Sequence, residues 1–130
     1  SARILPRPMS APHLDQQIDA RREPRYTVAW RARIELPDGR QYNAKVRDIS
    51  ENGIGLQSDY CAQARTNLQL TLGVPDLEDP THVLAVPATL KVMFVVMQGH
   101  DFRIGGVWAN IGPQAQHFLH QWVRKLRIGG

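Results

Sequence analysis

From Tyr26 to Leu36 the chain alternates. Tyr26, Val28, Trp30, Ala32, Ile34 and Leu36 are apolar, and Thr27, Arg31, Arg33 and Glu35 fall between them. Successive side chains of an extended strand point to opposite faces, so a period of two commits this stretch to a half-buried strand. Pro37-Asp38-Gly39 then supplies turn chemistry. Tyr42, Ala44 and Val46 alternate with Asn43, Lys45 and Arg47 on the way back. The two runs predict an antiparallel hairpin.

Asn52-Gly53 predicts another tight turn, because both residues tolerate positive φ. A third strand is expected to begin at Ile54–Leu56. Others are expected at Leu68–Leu72, at His82–Met97 with a break near Pro87, and at Phe102–Trp108. The period then changes. Gly112-Pro113 suits a helix start. Ala115, Phe118, Leu119, Trp122, Val123 and Leu126 follow at spacings of three and four, an amphipathic stripe that lies on a core. Lys125 and Arg127 sit in the last turn, where they favour the negative end of the helix dipole. Five or six strands and one closing helix predict a mainly β fold, a small barrel with a C-terminal helix.

The chain has 130 residues, enough for one compact domain. Its first twenty residues carry Pro6, Pro8 and Pro12 among polar groups, so residues 1–20 read as a flexible N-terminal arm and 21–130 as the domain. The longest apolar run, Val92–Met97, falls far short of the roughly 20 residues of a membrane span. No secretory signal pattern opens the chain. Its serine start suggests a processed form or a cut fragment, and a missing flank can carry a membrane segment. The expected location is the cytoplasm, either free or as the cytoplasmic domain of a membrane protein. The lone Cys61 excludes an internal disulfide and a cysteine-based zinc cluster.

The net charge is +4 and the pI about 9.7, which favours an anionic partner. The excess is compact. Arg21, Arg22 and Arg25 crowd together just before the first strand, and Lys45 and Arg47 follow. Guanidinium forks match phosphate oxygens and the O6/N7 edge of guanine, and they stack on base faces. The plainer reading of such a run is a solvated basic segment.

Asp48-Ile49-Ser50-Glu51-Asn52-Gly53 closes the second strand. Asp48 can accept from guanine N1–H and N2–H₂ together, and Ser50 can donate or accept. Gly53 lets a ligand approach the backbone closely. The plainer reading here is an ordinary hairpin whose polar side chains bond its own backbone. Together the two features are more specific. The first strand leaves Arg25 and the second returns towards Asp48, so antiparallel pairing brings both to one rim.

With Arg21-Arg22-Glu23-Pro24-Arg25 as an RxxxR motif and Asp48–Gly53 as D/N-x-S-x-x-G, the chain resembles the PilZ domain family of cyclic di-GMP receptors. Arg103-Ile104-Gly105-Gly106-Val107-Trp108 is a looser match to the family's late strand. The resemblance covers roughly residues 20 to 126. It implies a six-stranded antiparallel barrel with a helix over one end. It implies that Arg21 and Arg25 grip phosphates and guanine, and that Asp48, Ser50 and Gly53 form the barrel side of the pocket. Arg22 matches a position often basic in the family. Trp108 is either a flat face near a base or a core aromatic.

The function expected on this resemblance is a regulatory, non-enzymatic domain that binds cyclic di-GMP. The arm would order on the ligand and pass the change to a protein partner or a covalently linked effector domain. Control of exopolysaccharide synthesis, as in cellulose or alginate synthases with such domains, is one expected output. A homodimer is compatible with this reading, and direct DNA binding is not expected. A nucleotide-independent protein adaptor and a small barrel that binds single-stranded nucleic acid are the rivals. His117 and His120 lie three apart on the helix, but no third ligand accompanies them, so no metal is expected.

Overall fold

The structure, a computed structural model, describes residues 23 to 129; Arg21 and Arg22 lie outside them. Six strands occur in chain order: β1 (Tyr26–Glu35), β2 (Gln41–Ile49), β3 (Gly53–Ser58), β4 (Asn67–Pro75), β5 (Val83–Gln98) and β6 (Asp101–Ile111). They close into an antiparallel barrel in the order β1-β2-β3-β6-β5-β4. Among the described residues one helix, α1 (Pro113–Gly129), follows.

The alternating residues of the first hairpin behave as their period requires. Trp30, Ala32, Ile34, Ala44 and Val46 are buried, while Arg31, Arg33, Asn43 and Lys45 are exposed. Leu56, Leu70, Leu72, Leu90, Val92 and Ile104 complete the interior from the other four strands. The barrel therefore has a solid apolar core and presents its chemistry on the outside.

The helix lies over the barrel end at which β1 begins and β6 finishes. Its buried residues are Leu119, Trp122 and Val123, all on the stripe read from the sequence. Trp122 meets Trp30 edge to face at 5.4 Å between centroids and donates from Nε1 to the Pro75 carbonyl at 2.8 Å. The indole thus buries its rings without stranding its N–H. His120 Nε2 lies 2.9 Å from the Glu51 carbonyl and braces the helix against the β2–β3 loop.

Three details differ from the sequence reading. The β5 strand runs through Pro87 without a break. Pro87 pairs with Thr71 of β4, whereas the ladder to β6 starts at Ala88, so its missing N–H removes nothing from the β6 side. Among the described residues positive φ occurs at Gly39, Gly99 and Arg65, not at Asn52 or Gly53. Gly53 is required for another reason: a Cβ there would stand 2.0 Å from the Gly106 carbonyl oxygen.

The ladders shift register at four places, Thr27/Trp30, Val46/Asp48, Thr89/Leu90 and Val92/Phe94, and the second and fourth bear on the outer surface. Between β2 and β3 the register shifts around Arg47, so Val46 pairs with Leu56 but Asp48 pairs with Gly55. Between β5 and β6 it shifts around Met93, so Val92 pairs with Gly106 but Phe94 pairs with Gly105. An extra residue exchanges the faces of everything beyond it.

Candidate ligand-binding site

Without the bulge at Arg47, Asp48 would share the inward parity of Val46. The extra residue turns its side chain out above Gly55, where a Cβ would stand 2.8 Å from both carboxylate oxygens. Asp48 lies flat on the sheet, with only 17% of its side chain exposed.

Two guanidiniums meet this carboxylate. Arg25 Nη1 lies 3.3 Å from Oδ1, and Arg103 Nη2 lies 3.4 Å from Oδ2. Arg25 comes from the segment before β1 and Arg103 from β6, so three separate parts of the chain converge. Both distances exceed the roughly 2.7–2.9 Å of a tight charge-assisted bond. Such a loosely engaged Arg–Asp–Arg group can exchange partners with an incoming anion.

The loop itself is held internally. The Gly53 carbonyl accepts from the Ser50 main-chain N–H at 3.0 Å, and the Ser50 hydroxyl reaches the same oxygen at 3.3 Å. Ser50 is buried. The Glu23 carboxylate crosses to the loop, where Asn52 donates its main-chain N–H to Oε1 at 3.0 Å and its side-chain amide to Oε2 at 2.8 Å. Partial burial pushes the Glu23 carboxyl up. Hydrogen bonds from Ser50 and Asn52, with the charge of Arg25, outweigh this and leave it below its ordinary value. The single Ser50 proton serves either Gly53 or Glu23, and the ionised carboxylate is the stronger acceptor.

The sequence-derived site residues divide accordingly. Arg25 and Asp48 are in contact, and Ser50 and Gly53 form the adjoining loop. Trp108 donates its main-chain N–H to the Asn52 carbonyl at 2.9 Å, but it pairs with the core residue Leu90 and packs against the core. Arg21 and Arg22 are outside the described residues. Arg103 and Glu23, which the sequence does not single out for the site, touch Asp48 and the adjoining loop respectively. Glu23 sits inside the RxxxR motif and draws no attention beside four basic or rigid neighbours. Arg103 is distant in sequence and meets Asp48 only through barrel closure.

A hollow lies one row further along this outer face rather than on the motifs. It measures about 420 Å³ and is lined by Arg31, Asn43, Lys45, Gln57 and Asp101, among others. Gln57 pairs with Arg103, so the hollow adjoins the Arg–Asp–Arg group. Gln57 also donates to Asp101 at 2.9 Å. Among the described residues no group of three or more His, Cys, Asp or Glu could hold a metal ion, and no helix is long and apolar enough to cross a membrane.

Comparison with solved structures returns the same barrel. The inhibitor of motility MotI (DgrA) of Bacillus subtilis superposes with a TM-score of 0.68 at 16% identity, over 81% of this chain and 49% of that one. The cyclic di-GMP complex of MrkH from K. pneumonia gives 0.65 at 16% identity, over 82% and 51%. The PilZ domain of Escherichia coli YcgR with cyclic di-GMP gives 0.58 at 16% identity, over 83% and 92%. The chain thus spans about half the length of the MotI and MrkH chains. No curated protein gives a significant match. The PilZ domain family model matches residues 19–125, nearly the whole barrel and helix together with both arginines of the RxxxR motif. This chain belongs to the PilZ domain family.

Proposed function

We propose that this chain is a regulatory domain that binds cyclic di-GMP between the arginine segment before β1 and the Asp48–Gly53 loop. The observation that carries this reading is the meeting of Arg25 with Asp48, 23 residues apart, on one outer rim. A cyclic dinucleotide brings phosphates and guanine edges together. Phosphate competes with Asp48 for Arg25, and the freed carboxylate accepts from guanine N1–H and N2–H₂. Arg21 supplies the second guanidinium of the motif, with Arg22 beside it. MrkH and YcgR, whose structures include cyclic di-GMP, support the choice of ligand.

The response is an ordering of the segment before Glu23 against the barrel, which alters the surface offered to a protein partner or a linked domain. Residues 1–20 act as the arm in this scheme. Regulation of exopolysaccharide synthesis is one output that fits such a module, and a cytoplasmic setting fits the ligand.

Calorimetric titration of the purified chain with cyclic di-GMP, with the linear dinucleotide as control, tests the reading. Saturable binding that is lost in the Arg21→Ala/Arg25→Ala double variant supports it. Absence of binding to the unaltered chain refutes it. A salt-sensitive preference for single-stranded oligonucleotides would support the nucleic-acid rival instead.

A further inference from the structure

One outward row of residues crosses four strands: Asp48 of β2 pairs with Gly55 of β3, Gly55 with Gly105 of β6, and Gly105 with Phe94 of β5. Both ends of this row are placed by bulges. As Asp48 is turned outward by the extra residue Arg47, so Phe94 is turned outward by Met93, since by parity it would follow Val92 into the core. Both end residues lie on a glycine. A Cβ on Gly55 would press on the Asp48 carboxylate at 2.8 Å, and one on Gly105 would stand 2.1 Å from the Phe94 ring.

The consequence is an aromatic ring laid across the sheet surface, on the glycine next to the one beneath Asp48. Its outer side remains open: Phe94 is 42% exposed. Among the described residues the β4 ladder ends at Lys91, so no strand covers Phe94 from that side. Burial does not account for turning a phenylalanine out of a barrel wall. A bulge that re-aims one side chain is a recurrent device beside functional sites.

We infer that Phe94 is a stacking platform for a purine base of the nucleotide ligand, set on the Gly55–Gly105 floor beside the Asp48 carboxylate. The inference rests on the ligand class proposed above and extends the site from Arg25 and the Asp48–Gly53 loop across β6 to β5. The surface would then combine a flat apolar face, an acceptor for the base edge and guanidiniums for phosphate. Those are the three chemistries of a guanine nucleotide. A phenyl face accepts any base, so Phe94 contributes affinity, while Asp48 reads the base.

The test compares the full chain with Phe94→Leu and Phe94→Trp by calorimetric titration with cyclic di-GMP. Leucine keeps apolar bulk but has no flat face. Stacking of one base implies a loss of about tenfold in affinity for Phe94→Leu, with near-native affinity for Phe94→Trp. The guanine H8 resonance of bound ligand should shift upfield on the native chain and lose that shift on Phe94→Leu. If the native chain binds and Phe94→Leu binds within twofold with an unchanged H8 shift, the platform is refuted and the ligand assignment stands. If the native chain binds no cyclic di-GMP, the ligand assignment fails and the platform with it.

Discussion

The Glu23 carboxylate accepts two hydrogen bonds from Asn52, one from the main chain at 3.0 Å and one from the side chain at 2.8 Å. A residue of the arginine motif is thereby fastened to the loop of the second motif, 29 positions away. Glu23 holds its carboxyl below the ordinary value, 4.5, because these bonds and Arg25 favour the charged form over the burial that opposes it. A lowered folded value stabilises the latch above the unfolded value. That stabilisation is lost as pH falls from about 4.5 through the lowered folded value. The Asn52 amide should therefore lose protection from hydrogen exchange over that acidic window. In Glu23→Gln the same amide should show no such pH step.

Arg25 and Asp48 should matter more to ligand than to stability. Arg25 is 43% exposed along its side chain, so the pair resembles a surface ion pair, worth roughly 0–1 kcal/mol. Arg25→Ala should leave the denaturation midpoint nearly unchanged while lowering cyclic di-GMP affinity at least tenfold. Chemical denaturation and calorimetry on the same sample separate the two effects.

Arg103→Gln offers a different signature. It removes the second guanidinium from Asp48, whose other partner is Arg25. With Arg103 absent, release of Arg25 to a phosphate leaves the carboxylate without a cation. Affinity should fall, and the fall should be smaller in an Asp48→Asn background. A double-mutant cycle in binding energy measures that coupling, and additivity would contradict it.

Gly53→Ala should be strongly destabilising. The new methyl group would meet the Gly106 carbonyl oxygen at 2.0 Å, and main-chain atoms on both sides cannot yield without breaking the β3–β6 ladder. Overpacking of this kind costs about 1–3 kcal/mol. Thermal denaturation should show it, whereas Gly39→Ala, with open space but φ of +94°, should act only through local backbone strain.

Trp122→Phe keeps an aromatic ring against Trp30 but leaves the Pro75 carbonyl without its 2.8 Å donor. The loss should be about 1–2 kcal/mol, seen as a lower denaturation midpoint with ligand affinity nearly unchanged, because Trp122 meets Trp30 and Pro75 rather than residues of the outer row.

The sequence by itself determined the strands, the helix and the meeting of the two motifs. Alternation from Tyr26 to Val46 obliges one face to be buried, and antiparallel return across Pro37-Asp38-Gly39 brings Arg25 towards Asp48 whatever the rest does. The α1 stripe was equally plain, since Leu119, Trp122 and Val123 fit no other period. Strand ends were less so: Asn67–Pro75 and Asp101–Ile111 exceed their apolar runs, because neighbouring strands extend a ladder beyond the residues that pattern it. Only the tertiary structure decided which face the chemistry occupies. Sequence parity places Asp48 with Val46 and Phe94 with Val92, both inside the barrel. Bulges at Arg47 and Met93 reverse that, and a bulge exists only relative to a partner strand. The glycines beneath the two side chains, Gly55 and Gly105, and the Arg103 that reaches Asp48 from β6, likewise acquire their roles only when the barrel closes.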